Sequence, residues 1–175
     1  KLKEPLDFYA VTDHGFYMGM IENYADTSSE MSKNEWTKPM HNLNRPENVT
    51  VESLGARADL FSSVLTQAII KPYPWWHPNY IGAWLTNNIQ LALKSFDYDV
   101  HKSAWADVAN AAEEFNDPGN FTTFIGYEFT TSTDVEGGNL HRNVIFNSSD
   151  APIRPWTRID SINPEDLWTW MDGLR

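Results

Sequence analysis

This sequence predicts an α/β fold, on three observations. A short apolar, β-favouring run, Phe8-Tyr9-Ala10-Val11, stops abruptly at Thr12-Asp13-His14-Gly15. Stretches with helical spacing fill the middle of the chain. Two β-rich runs then follow close together, Phe121 to Thr130 and Leu140 to Phe146.

The first run is long enough for one strand and too short for a stable helix, and its unbroken apolar character predicts a buried strand. Strand ends in α/β folds are where ligands and metals are bound. Asp13 and His14 are therefore candidate site residues. His14 is a potential metal ligand, and Asp13 is a carboxylate that can orient an imidazole or hold a second metal. A histidine that merely caps a strand end by hydrogen bonding is the plainer alternative. Gly15 is expected to let the backbone turn away. Phe16 to Ala25 has rough helical spacing through Met20, Ile21 and Tyr24. Asp26 to Val51 is polar, carries Pro39 and Pro46, and reads as a long surface excursion.

Glu52 to Ile70 is the clearest helix, with Leu54, Ala58, Phe61, Leu65 and Ala68 on one face. Pro72 and Pro74 end it. Trp75-Trp76-His77-Pro78 is then an aromatic turn, in which His77 is either a substrate-loop residue or a packed ring. Ile81 to Leu93 is a second helical pattern. Ser103 to Phe115 is a third, through Trp105, Val108, Ala109 and Ala112, and Asn116-Asp117-Pro118-Gly119 stops it. Trp84, Trp105 and Trp168 sit at core spacing, whereas His41 and His101 lie among polar neighbours and are expected at the surface. The run up to Thr130 carries one acid, Glu128, and His141 opens the next run thirteen residues on. The polar Ser132–Asn139 link with Gly137-Gly138 suits a connection between adjacent strands, so Glu128 and His141 can face one site. Alternation sends Arg142 to the opposite face and returns Asn143 to the site's side. Arg142 is thus a phosphate contact only if the strand end twists, and otherwise a surface ion pair. Asn163 as cap and Pro164 at the first position start a last helix shortly before Arg175. The chain reads as an interior piece of a larger protein.

Thirteen basic and twenty-four acidic residues give a net charge of −11. That balance argues against a broad phosphate-tracking surface for duplex nucleic acid. A small phosphorylated substrate stays compatible, because bound cations reverse a local field. With no cysteine, disulfides and thiolate ligands are excluded, and a metal must sit on His, Asp, Glu and water. No stretch is apolar enough to span a bilayer.

Thr12-Asp13-His14-Gly15, Ile125-Gly126-Tyr127-Glu128 and Asn139-Leu140-His141 together resemble the PHP superfamily of metallohydrolases, named for its polymerase and histidinol phosphatase members. The chain looks more narrowly like a bacterial branch catalogued as a domain of unknown function. The resemblance implies a distorted (β/α)7 barrel, incomplete at both ends here, as a single partial domain over 1–175 with a polar insertion at about 26–51. It implies two or three divalent ions (Zn, Mn or Fe) held by His14, Glu128 and His141, with Asp13 beside them as an orienting or catalytic acid. Arg142, Asn143 and His77 are the substrate-side candidates. The family's His-x-His strand would lie before Lys1 and its Asp-x-His motif after Arg175. The implied activity is hydrolysis of a small phosphoester by metal-activated water, with a periplasmic or secreted placement. The alternative is a non-catalytic domain that keeps the fold and binds a ligand or partner through the 26–51 insertion and Trp75-Trp76.

Overall fold

The structure is a computed structural model of the 175-residue chain, and it describes residues 4, 6–42, 45–51, 54–55, 96–132 and 139–174. The expected helices over 52–70 and 81–93, the aromatic turn with His77, and Trp84 lie outside the described residues, save that Leu54 and Gly55 are helical. The chain divides into two compact units, one formed by Lys1–Met18 with Tyr98–Arg175, the other by Gly19–Asp97.

The first unit is built on a central strand line. Strand β1 (Phe8–Ala10) runs parallel to β2 (Thr122–Phe124), with Phe8 opposite Thr122 and Ala10 opposite Phe124. Beyond Ile125 the line continues as β3 (Gly126–Ser132), which pairs antiparallel with β4 (Asn139–Ile145) from Gly126–Ile145 to Ser132–Asn139. A parallel bridge between His14 and Glu128 carries the first segment onto β3. The Gly15 amide donates to the Glu128 carbonyl at 2.9 Å, and the Glu128 amide donates to the Asp13 carbonyl at 2.8 Å. β3 therefore has the N-terminal segment on one edge and β4 on the other. The expected adjacency of the strands that carry Glu128 and His141 is present, and the link over 133–138 lies outside the described residues.

Period two sorts the side chains of this line. Ile125, Tyr127, Phe129 and Thr131 are buried on one face, so Glu128 and Thr130 belong to the other. The buried face meets Trp105 of α2 (Tyr98–Glu114) and Leu167 of α3 (Pro164–Asp172), with Val144 completing the core. Trp105 stands edge-on to Tyr127 at 5.7 Å between centroids, and its indole N–H donates to the Pro152 carbonyl at 2.7 Å. The Tyr127 hydroxyl donates to the Trp156 carbonyl at 2.8 Å, so the polar tip of a buried ring is satisfied. Helix α3 starts as expected: the Asn163 side chain accepts from the Glu165 amide, and Pro164 takes the first position. An open apolar cleft of about 500 Å³ lies among Tyr9, Val11, Val108, Phe115 and Phe124.

Several expectations are corrected. β1 is not buried: Phe8 is 66 % and Tyr9 51 % exposed, because β2 alone among the described strands pairs with it. Helix α2 begins five residues earlier than Ser103, since His101 extends the apolar stripe one turn before Trp105. His101 is accordingly fully buried rather than at the surface. Trp168 is half-exposed, because Leu167, Trp170 and Met171 form the inward stripe of α3 and leave position 168 rotated away.

The second unit corrects two more. Helix α1 (Met20–Ala25) does not reach back to Phe16, because Tyr17 and Gly19 take left-handed backbone at φ 63° and 76°. The 26–51 excursion is not merely surface. It holds three short 3-10 helices, Met31–Lys33, Glu35–Met40 and Pro46–Asn48, and buries Ser32, Thr37 and Met40. The Thr37 hydroxyl is held by the carbonyls of Ser32 and Asn34 at 2.8 and 2.7 Å, and His41 is half-buried with Nε2 2.9 Å from the Ser32 carbonyl. Among the described residues no helix is long and apolar enough to cross a membrane.

Candidate metal centre

The site grows out of the strand line at the bridge where β3 meets the N-terminal segment. Strand β1 delivers His14 there four residues beyond its end, and the register places Thr130 opposite His141 and Glu128 opposite Asn143. His14, Glu128 and His141 each offer a ligand atom, and these atoms all lie within 4.8 Å of one another. The three residues that the sequence singled out, from three separate motifs, are thus brought together.

One carboxylate oxygen organises the cluster. Glu128 Oε2 receives His141 Nδ1 at 2.8 Å and pairs with His14 Nδ1. The Thr130 hydroxyl donates to the same oxygen at 2.6 Å and stands 2.7 Å from His14 Nδ1. The two imidazoles face each other at 5.6 Å between centroids, tilted by 43°. Burial works against a charged Glu128, yet the hydrogen bonds from His141 and Thr130 and the two imidazoles hold its carboxyl below the usual carboxylate range. It is a full negative charge at neutral pH. The imidazole side chains keep 44 % and 42 % of their surface, against 19 % for Glu128, so the outer side of the cluster opens to solvent.

Two imidazoles and one carboxylate fit a divalent cation of the Zn, Mn or Fe kind. Three protein ligands with an open outer side are the arrangement that leaves positions for water and substrate. The apolar cleft beside β1 is a different place, and none of the three lines it.

The other candidates fall as follows. Asp13 joins the site through its backbone carbonyl, while its side chain is exposed. Asn143 sits on the Glu128 face, two pairs along from His141, and is exposed. Arg142 sits on the opposite face, across from Phe129, with Nη1 enclosed and without a hydrogen-bond partner. Gly15 matters by closeness rather than by turning freedom. A Cβ there would lie 2.5 Å from Tyr127 Cδ2 and 3.3 Å from Thr157 Cγ2, and Tyr127 is fully buried. Sequence reasoning missed Thr130, although the two-residue step from Glu128 within one strand carries the signal. It also missed His101, whose Nε2 donates to the Gly15 carbonyl at 2.7 Å beside the cluster.

The described residues form a chain of mixed helices and small sheets with two histidines and one glutamate gathered where the N-terminal segment meets the β3–β4 pair. Over residues 1–175 the chain matches the family described as Protein of unknown function (DUF3604), and it belongs to that family. No curated protein and no solved structure matches it.

Proposed function

We propose that this chain carries part of the active site of a metal-dependent hydrolase of the PHP type, acting on a small phosphoester. The observation that carries the reading is the convergence of His14, Glu128 and His141 on one point, from segments far apart in sequence. His14 stands four residues beyond the parallel strand β1, in the region where α/β folds bind ligands, and β3 and β4 bring Glu128 and His141 to it.

In this reading His14 and His141 offer neutral nitrogens, and Glu128 supplies the charge that makes the site attractive to a cation. Thr130 fixes the Glu128 carboxylate, and the backbone pair between Asp13, Gly15 and Glu128 fixes the height of His14 relative to β3. A divalent ion held there supplies acidified water near neutral pH and charge neutralisation at the phosphoryl oxygens. The net charge of −11 disfavours polymeric nucleic acid and leaves small substrates.

The test is elemental analysis of the protein purified without added chelator or metal, beside the double variant His14→Ala, Glu128→Ala. Zn, Mn or Fe at one equivalent or more in the wild type and lost in the variant supports the reading and selects the metal for a phosphoester screen. Equal, near-zero metal in both sinks it.

A further inference from the structure

Arg158 is a buried cation with no anion paired to it among the described residues. The residue is 5 % exposed, and its Nη2 is enclosed with no hydrogen-bond partner. What its guanidinium touches is an aromatic face: Cζ stands 5.5 Å from the centroid of Phe16. Arginine is almost never fully buried unless paired, since lost hydration must be replaced by an anion or by acceptors. A ring face replaces only part of it. Burial pushes Arg158 below its ordinary value, against the influence of Tyr17, but a guanidinium does not give up its proton in a protein. The nearby acid is already engaged. Asp160 takes both Nη atoms of Arg154 and the Thr157 amide.

The place of this cation is as informative as its state. Phe16 has Arg158 over its ring, and its ring neighbours are Tyr17, edge-on at 6.0 Å between centroids, and His14, 5.6 Å away and tilted by 43°. One aromatic ring therefore separates the unpaired guanidinium from the ligand cluster. The next residue, Tyr17, holds left-handed backbone at φ 63°, a conformation that a tyrosine keeps only when its surroundings impose it. A fork of donors, a ring beside it and a metal-ligand cluster one step further on match a substrate whose anionic group sits apart from solvent.

We propose that Arg158 is the receptor for the anionic group of the substrate, a tetrahedral oxyanion of the phosphate type, beside the His14–Glu128–His141 cluster. The guanidinium offers two parallel N–H bonds to such an anion, and burial strengthens the pairing. What happens to the substrate rests on the hydrolase reading; the anion site itself does not.

The experiment titrates inorganic phosphate into the chain at constant ionic strength, with chelator present, and follows thermal unfolding and binding heat. Wild type is expected to gain about 5–10 °C in Tm at phosphate a hundredfold above its Kd. Arg158→Met keeps much of the volume and removes the charge. It is expected to be at least as stable as wild type without phosphate, and to gain nothing from phosphate. Arg158→Lys keeps the charge without the fork, and is expected to bind phosphate about tenfold more weakly. Three results overturn the proposal: a wild type indifferent to phosphate, an Arg158→Met protein that responds like wild type, or one that melts well below it, which marks a structural arginine. A response seen only when metal is added also overturns it, and leaves the cluster's own reading intact. Absence of metal at the cluster, in turn, leaves this titration fully readable.

Discussion

Thr130 carries more of the site than its residue type suggests. Its hydroxyl has one proton, and that proton goes to Glu128 Oε2 at 2.6 Å. Toward His14 Nδ1, at 2.7 Å, it can therefore only accept. Thr130 thus sets the direction of one imidazole and one carboxylate at once, as outer partners of metal ligands do. Thr130→Val keeps the shape and the strand preference but removes both bonds; on the metal reading it is expected to weaken binding of a divalent cation by about tenfold or more in a chelator competition. Thr130→Ser restores the hydroxyl and is expected to bind within a few-fold of wild type. Equal affinity in the valine variant would falsify this role. His14, Glu128 and His141 were legible in the sequence because each lies at the end or start of a strand-like run, and the resemblance of the three motifs joined them into one candidate group. Thr130 was not, because threonine is at home in any strand, and the two-residue step from Glu128 places it on the site's face without marking its hydroxyl as a partner. Arg158 was not, because a lone arginine in a turn reads as solvated.

Helix α2 is anchored at two points one turn apart. Trp105 fills the core against Tyr127 and Phe146, and His101 donates to the Gly15 carbonyl from a fully buried position. Burial depresses the His101 pKa below its ordinary 6.5, more than the carbonyl bond raises it, with Arg154 and Asp160 acting in opposite senses. The folded state then binds fewer protons than the unfolded state as pH falls through 6.5, so stability rises with pH there. This contribution is complete above about 6.5 and is lost as pH falls toward the depressed folded value. His101→Gln keeps a donor and removes the titration. The drop in Tm between pH 7.5 and 5.5 is expected to be smaller in that variant than in wild type, and equal drops refute the assignment. Glu128, also depressed, acts in a lower window, with its stabilisation lost below about 4.5. The same helix shows how local polarity misleads. Asp97, Asp99 and Lys102 around His101 suggest a surface residue, while the four-residue step to Trp105 puts it on the inward stripe. Period outweighs composition at His101; at Trp168 the sequence suggests core spacing, and the stripe through Leu167, Trp170 and Met171 leaves it half-exposed. The β3–β4 pairing was readable because two β-rich runs flank a polar link with Gly137-Gly138.

Across the molecule, the cluster joins parts of the chain that the sequence keeps far apart. His14 and Thr130 are 116 residues distant, and the intervening chain includes the whole Gly19–Asp97 unit. In the first unit, the N-terminal segment is held by the short β1–β2 pairing and the bridge at Glu128, with His101 on the Gly15 carbonyl. Three strand residues, two of them more than half exposed, are a weak tether by themselves. A cation bound by His14 on one side and by Glu128 and His141 on the other closes that long connection in the folded state alone. At a hundredfold excess over Kd it stabilises the fold by about 2.7 kcal/mol. The gain should not be spread evenly. Hydrogen exchange with and without the metal is expected to slow most at the Gly15 and Glu128 amides, whose bonds form the bridge itself. It should change little in α3, where Leu167 is packed into the core away from the ligands. Uniform protection would mean that the ion acts only through global stability. Protection confined to α3, or none, would mean that it binds elsewhere. The segment most dependent on the ion for its place is then the one that carries His14 to the site, so metal loss and loss of the N-terminal segment's docking become one event.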